Sequence, residues 1–129
     1  MTPTQLIFYG LAAIAMVLYI RRLLLRRSIV HYTPGEVASR VKNHSNIVLL
    51  DVRTPAERSG QHIAGSLHIP LHELRSRIDQ LSGFKDKEII CYCRSGNRSL
   101  AAAATLRKHG FTTANMKGGI TEWNYSGHK

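Results

Sequence analysis

Cysteine is scarce in this chain of 129 residues, which contains only Cys91 and Cys93. Their α-carbons would be about 6.5 to 7 Å apart in an extended strand, at the limit of what a disulfide can bridge. We therefore expect no structural disulfide. Two free thiols also indicate a reducing compartment.

The chain also lacks a convincing set of metal ligands. Its seven histidines are scattered, and none pairs with a cysteine or a carboxylate at a spacing typical of metal sites. His68 and His72 are four residues apart, but Pro70 between them breaks the single helix that would bring the rings together. We predict no bound metal.

Acidic residues are few: eight stand against 18 lysines and arginines, which gives a formal net charge of +10. Arg21, Arg22, Arg26 and Arg27 form one local cluster, but the rest of the chain remains basic without them. This charge favours small anionic substrates or acidic partners. We expect no nucleic-acid partner, since no basic stripe interleaved with aromatic side chains occurs.

Charge is absent from residues 6–20, which are apolar on every face of a helix. With Thr2 as N-cap and Pro3 at the first helical position, this run predicts an N-terminal helix. Residues 23–25 can extend it toward the thickness of a bilayer core, about 30 Å, if the neighbouring arginines snorkel to the headgroups. We predict that residues 4–25 form a transmembrane helix.

A cleaved signal peptide is the alternative, since Ala13-Ile14-Ala15 resembles a cleavage site. No lysine or arginine precedes the apolar run, however, and four arginines follow it, which favours a retained anchor. The positive-inside rule then places the C-terminal side in the cytoplasm, in agreement with the free thiols. We predict a single-pass membrane protein with an anchor and basic segment at residues 1–27 and a cytoplasm-facing domain at residues 28–129.

The remaining chain alternates short apolar runs with helical patterns, which predicts an α/β fold with a mostly parallel sheet flanked by helices. Strands are expected at residues 29–32 (as an edge), 47–50, 67–69, 88–92 and 112–116. Helices are expected at residues 34–42, 71–81 and 100–109, with a loop or short helix at 54–61 and a last short helix from Gly118-Gly119 to about Trp123.

The chemistry is expected around Cys93, which follows the predicted strand 88–92 and precedes a loop of small polar residues. Backbone N–H groups of such a loop converge on one point, and the dipole of the following helix adds positive potential there. Arg94 and Arg98 reinforce this potential. All these effects favour the thiolate of Cys93, which is the nucleophilic form, so we predict an enzyme.

Four residues separate Cys93 from Arg98, one fewer than in the Cys-x5-Arg loop of cysteine phosphatases. The tighter loop suits an anion of about one sulfur atom. Four segments, spread over roughly residues 30 to 125, then resemble the rhodanese family of sulfurtransferases. These segments are Asp51-Val52-Arg53, residues 62–70 (His-Ile-Ala-Gly-Ser-Leu-His-Ile-Pro), residues 93–99 (Cys-Arg-Ser-Gly-Asn-Arg-Ser), and Gly118-Gly119-Ile120 followed by Trp123.

The resemblance implies a rhodanese-like three-layer fold and an enzyme of the thiosulfate sulfurtransferase type. Such an enzyme moves sulfane sulfur from thiosulfate or a persulfide donor to a thiophilic acceptor, such as cyanide, a thiol or a protein cysteine, through a persulfide on Cys93. It implies no organic cofactor. The anchor suggests a membrane partner that supplies or receives sulfur.

The resemblance also implies site roles. Cys93 is the catalytic nucleophile, and the loop residues Arg94, Ser95, Gly96, Asn97 and Arg98 bind the substrate. Arg98 has an alternative role, bracing the loop against a carboxylate, for which Glu57 is a candidate. Asp51 and Arg53 are supporting residues that orient loops.

Several residues have structural interpretations beside functional ones. We expect Ser99 to cap the helix, Cys91 to face the core, His62 to lie in a structural turn and Trp123 to be a core or lid aromatic. A sulfur-relay role for Cys91 and a general-base role for His62 are the alternatives. Arg58 replaces an aromatic residue and Gln61 a glycine that the family often has, which affects the packing of this loop.

Two other functions remain open. One is a thiol-dependent arsenate reductase or phosphatase, against which the loop spacing argues. The other is a non-catalytic rhodanese-like binding module at the membrane, but such modules typically lack the cysteine that this chain has.

Overall fold

Five strands and five α-helices alternate along the chain in the computed structural model, which describes residues 1–128. The strands are Val30–Tyr32 (β1), Ile47–Asp51 (β2), Leu67–His68 (β3), Glu88–Tyr92 (β4) and Thr112–Met116 (β5). The helices are Pro3–Arg27 (α1), Pro34–Asn43 (α2), Pro55–Gly60 (α3), Asn97–Lys108 (α4) and Gly119–Tyr125 (α5).

All five strands pair in parallel, in the spatial order β1-β5-β4-β2-β3. β2 and β4 lie inside this sheet, which explains their continuous apolar runs, because strands covered on both faces need no polar side. The predicted α/β fold with a parallel sheet between helices is therefore confirmed. β1 lies at one edge, as expected from its position after the apolar helix.

Two hydrophobic clusters cover the two faces of the sheet, and β4 contributes alternate residues to each. Ile89, Cys91 and Cys93 belong to the cluster that includes α4. Ile90 and Tyr92 belong to the opposite cluster, with residues of α2 and α5. This division follows from the two-residue period of a strand. The alanines of α4 let that helix lie close to the sheet directly behind Cys93.

The predicted helix over residues 71–81 is wrong. Two short 3₁₀ segments, Leu71–Glu73 and Ile78–Phe84, replace it. Leu74 and Leu81 are nevertheless buried against the same sheet face. The apolar spacing therefore predicts correctly which side chains are buried, but 3₁₀ turns can bury the same side chains as a regular helix. Neither segment has a side-chain cap that would favour a regular helix.

Helix α1 begins as predicted, with a capping box between Thr2 and Gln5. None of its residues is buried, and it is long and apolar enough to cross a membrane, although signal sequences share these properties. At its end, the guanidinium of Arg107 donates hydrogen bonds of 2.6 and 2.9 Å to the carbonyl and hydroxyl oxygens of Ser28. These bonds join the end of α1 to α4.

A buried ion pair lies at the carboxyl end of β2. Asp51 is fully buried, and the guanidinium of Arg53 donates to its two carboxylate oxygens over 3.0 and 2.9 Å. The Tyr92 hydroxyl donates a further bond of 3.1 Å. Burial opposes ionisation, but the hydrogen bonds and charge of Arg53 outweigh it, and the pKa of Asp51 is lowered.

This ion pair fixes the segment that carries α3. Arg53 also donates to the carbonyl oxygens of Glu57 (3.4 Å), within α3, and Gln61 (2.6 Å), the residue after α3, so its guanidinium ties this helix to β2. Arg58 donates to the carbonyl oxygen of Ser66 (2.8 Å) and to the Asp51 carboxylate (3.4 Å). Hydrogen bonds from charged side chains therefore hold this loop in place.

We predict that Asp51→Asn lowers the free energy of unfolding by about 3–5 kcal/mol, because it leaves Arg53 buried without its carboxylate. Urea unfolding of the full chain in detergent measures this change. Asp79→Asn, at an exposed aspartate, is the matched control and should have little effect. Equal stability of the two variants would contradict a structural role for the ion pair.

Candidate active site

Cys93 is the first residue of the loop that joins β4 to α4, and it is 1% exposed. Gly96 is the N-cap of α4 and has a φ of 114°, a backbone conformation that residues other than glycine rarely adopt. This conformation turns the loop back, so that its backbone N–H groups point inward to the cysteine. Ser95 and Asn97 are exposed on either side of Gly96.

Hydrogen-bond donors surround the Cys93 sulfur. The backbone N–H of Gly96 donates to Sγ over 3.1 Å, and the Ser99 hydroxyl oxygen lies 3.3 Å from it. Burial raises the pKa of this thiol, but the bonds from the Ser99 hydroxyl and from the backbone N–H groups of Ser99, Gly96 and Ser95 outweigh burial and lower it. The arrangement therefore favours a thiolate at Cys93.

Cys91 has the opposite environment. It is fully buried in the hydrophobic cluster beneath α4 and forms no disulfide. Burial and the nearby charge of Cys93 raise the pKa of its thiol far above the usual range. Cys91 therefore stays protonated, in agreement with the expected core position.

Arg98 forms a two-pronged ion pair with Glu57 of α3, with N–O distances of 2.7 and 2.8 Å. Its hydrogen bonds lower the pKa of Glu57 to about 2, so the carboxylate is ionised at neutral pH. Thr54 bonds both the side chain and the backbone N–H of Glu57, which fixes the carboxylate. In this structure Arg98 has the bracing contact named above, and substrate contact by Arg98 stays a prediction.

The first turn of α5 contacts the backbone of the cysteine loop. The backbone N–H of Ile120 donates to the Cys93 carbonyl oxygen over 2.9 Å, and the Thr121 hydroxyl donates to the Arg94 carbonyl oxygen over 3.0 Å. A Cβ atom at Gly119 would collide with both of these backbone carbonyl groups. Only glycine permits this approach. The Arg94 side chain itself is exposed at the rim of the site.

Ser99 does not cap α4, which corrects the expectation above. The helix begins at Asn97, so Ser99 lies within its first turn. Its hydroxyl has one proton, which it can donate either to the side-chain oxygen of Asn115 at 2.5 Å or to the Cys93 sulfur at 3.3 Å. The Asn115 amide nitrogen lies 3.1 Å from Nδ1 of His31, so a series of polar side chains leads from the surroundings of the buried sulfur to the exposed His31 on β1.

Sequence reasoning missed both Asn115 and His31. Asn115 is buried in β5, and a polar side chain inside an apolar strand was the available signal. Both residues line a cleft of about 330 Å³ beside the loop, together with Gly96, Asn97 and Lys117. His31, at the outer end of this series of polar side chains, therefore lines the cleft.

The other residues considered from sequence lie outside the cysteine loop. His62 is exposed, and its Nδ1 atom is 3.4 Å from the carbonyl oxygen of Arg58. Trp123 is buried in the cluster opposite α4, which agrees with a core position. Within residues 1–128, no group of three or more histidine, cysteine and acidic side chains is placed to hold a metal ion.

Two proteins that are similar in sequence to this chain have descriptions that refer to sulfur transfer or sulfur carriage. A sulfurtransferase of Allochromatium vinosum is 35% identical over 88 residues, which make up 67% of this chain and 80% of that protein. YrkF of Bacillus subtilis, a putative sulfur carrier protein, is 38% identical over 85 residues. The match covers 65% of this chain but only 45% of YrkF.

Solved structures agree with the fold. A rhodanese-related protein from Thermoplasma volcanium has a TM-score of 0.71 at 32% identity, with 78% of this chain and 95% of that chain covered. A Rhodopseudomonas palustris protein of unknown function, described as a possible tyrosine phosphatase, has a TM-score of 0.73 at 28% identity, with coverage of 84% and 89%. Residues 33–126 match the rhodanese-like domain model, and the chain belongs to the rhodanese-like domain family.

Proposed function

We propose that this chain is a sulfurtransferase that carries sulfane sulfur as a persulfide on Cys93. The observation that supports this proposal most directly is the environment of the Cys93 sulfur. Its pKa is lowered by the Ser99 hydroxyl and the loop N–H groups, at the start of α4. A thiolate held in this way is a nucleophile that needs no general base.

The proposed reaction has two displacements. The Cys93 thiolate attacks the outer sulfur of thiosulfate, a new S–S bond forms, and the bond to the sulfonate sulfur breaks with its electron pair leaving on sulfite. A thiolate or cyanide acceptor then attacks the terminal sulfur of the persulfide, and the electron pair of the broken S–S bond returns to Cys93. The loop N–H groups stabilise negative sulfur in both steps.

The contacts of Arg98 favour sulfur transfer over phosphate chemistry. In a phosphatase loop, the arginine that follows the cysteine is needed to bind the phosphoryl oxygens. Here both prongs of the Arg98 guanidinium are occupied by Glu57. Phosphatase activity is the second candidate, because the Rhodopseudomonas protein of similar fold is described as a possible tyrosine phosphatase.

The donor is proposed to be a small anion or a protein persulfide. Arg94 is exposed at the rim and Lys117 lines the adjoining cleft, and neither takes part in an ion pair within residues 1–128. Both can therefore attract an anionic donor such as thiosulfate. The similarity to a putative sulfur carrier protein supports a persulfide donor or a protein cysteine as acceptor.

We also propose that residues 1–27 anchor the protein and that the domain formed by residues 28–129 faces the cytoplasm. Support comes from the apolar helix α1, none of whose residues is buried, and from the four arginines at its end. In this arrangement the partner that donates or accepts sulfur reaches the site at the membrane surface.

We predict that Ser99→Ala raises the pKa of Cys93, because it removes a hydrogen bond to the thiolate, and a hydrogen bond to a charged group contributes roughly 1.5–3 kcal/mol. The pH dependence of iodoacetamide alkylation measures the change, and Cys91 does not compete because its raised pKa keeps that thiol protonated. Ser126→Ala, at an exposed serine, is the control. An alkylation profile that Ser99→Ala leaves unchanged would contradict the proposed stabilisation.

We predict that the full chain, in detergent, gains the mass of about one sulfur atom after incubation with thiosulfate. The gain should disappear in Cys93→Ser and persist in Cys91→Ser. If the wild-type chain gains no mass from any sulfane donor, the sulfurtransferase proposal is wrong. Hydrolysis of p-nitrophenyl phosphate by the same sample would support the phosphatase alternative, and a gain that requires Cys91 would indicate a relay between the thiols.

A further inference from the structure

A second cavity lies far from the sequence motifs, where α1 passes the outer face of α4. Its volume is about 360 Å³. Five cationic side chains line it: Arg21, Arg22 and Arg26 from α1, Arg75 from the segment after β3, and Lys108 at the end of α4. No acidic side chain is among the lining residues. We call this cavity the α1–α4 cleft.

These five cations lack anionic partners. Within residues 1–128, none of them takes part in an ion pair. Other arginines of the domain differ: Arg53 and Arg58 contact Asp51, and Arg98 contacts Glu57. Like charges that converge without counter-charges repel one another, and a bound anion removes that repulsion.

The cleft also has an apolar wall. Leu18 and Leu25 contribute to it from α1, and Ala101 and Ala104 contribute from α4. A ligand that matches both parts carries an anionic group next to a hydrocarbon chain. A free phosphate would satisfy the cations alone, and a nucleic acid would leave the leucines against a charged backbone. An anionic phospholipid satisfies both parts.

The position of the cleft along α1 agrees with a lipid ligand. The charge-free run of α1 ends at Ile20, so Arg21 and Arg22 lie at headgroup level in the proposed membrane arrangement. Arg75 and Lys108 belong to the domain. A single phosphate between the two sets would hold the domain against the membrane surface.

We infer that the α1–α4 cleft binds the headgroup phosphate of an anionic phospholipid, with an acyl chain along Leu18, on the membrane side of Arg21 and Arg22. The inference rests on the proposed membrane anchor and is independent of the chemistry at Cys93. It assigns to Arg75 and Lys108 a function in orienting the domain, which the sulfurtransferase proposal does not use.

The experiment uses the full chain in detergent and phosphatidylglycerol as the probe. Native mass spectrometry compares the phosphatidylglycerol retained with the phosphatidylcholine retained. Arg75→Gln/Lys108→Gln changes only the domain side of the cleft and leaves α1 intact. Lys42→Gln/Lys87→Gln removes the same charge; Lys42 is on α2 and Lys87 precedes β4, and neither lines the cleft. We expect the first variant to lose retained phosphatidylglycerol on the order of tenfold, and the control to match the wild type.

Three results would overturn the inference. They are equal retention of the two lipids by the wild type, equal loss in the cleft variant and its control, and displacement of the lipid by millimolar inorganic phosphate, which would indicate a small-anion site. Flotation with neutral phosphatidylcholine vesicles tests the anchor separately. Wild-type chain that fails to float would refute the anchor and the lipid site together, whereas floating without lipid selectivity refutes the lipid site alone. The thiosulfate mass gain reports on Cys93 in either case.

Discussion

The ion pair between the buried carboxylate of Asp51 and Arg53 is the interaction on which the surroundings of the Cys93 loop depend. The position of Asp51 at the end of β2 makes Arg53 a buried cation, and Arg53 in turn donates to the carbonyl oxygens of Glu57, within α3, and Gln61, just after it. The Glu57 carboxylate pairs with Arg98 in the first turn of α4. A continuous series of hydrogen bonds and ion pairs therefore joins the carboxyl end of β2 to the helix that follows Cys93. Removing the first carboxylate would leave a buried cation without a partner, which is a larger penalty than the loss of one ordinary bond.

Neutral hydrogen-bond donors, more than charged groups, favour the thiolate form of Cys93. Arg98, in the first turn of α4, has its charge offset by Glu57, and the atoms placed close to Sγ are a backbone N–H and a hydroxyl oxygen. The backbone N–H is positioned by the shape of the loop, and the hydroxyl by the first turn of α4. This explains why the site depends on Gly96 and Gly119, whose backbones permit the loop to close and the start of α5 to lie against it.

Much of this fold was predictable because its signals are local. The apolar runs of β2 and β4, the alanines of α4 and the polar loop after Cys93 each indicate a structure within a few neighbouring residues. The segment from Leu71 to Phe84 was not predicted correctly, because its apolar spacing is compatible with any backbone that buries Leu74 and Leu81. The partners of Ser99 were missed for a different reason. Asn115 reaches Ser99 because α4 packs on β5, and His31 reaches Asn115 because β5 pairs with β1; these contacts span 16 and 84 positions of the sequence.

The short connection between α1 and β1 has a consequence for how the proposed sulfur partners would reach Cys93. Only Ser28 and Ile29 separate the two elements; Ile29 is buried in the core, and Ser28 is bonded to Arg107. Two residues span at most about 7 Å, so the connection is too short to let the domain move far from the end of α1. In the proposed anchored arrangement, the distance of Cys93 from the bilayer is a fixed dimension of the molecule. A membrane partner would have to present its reacting sulfur at that height, and the length of the connection would select among partners by reach alone.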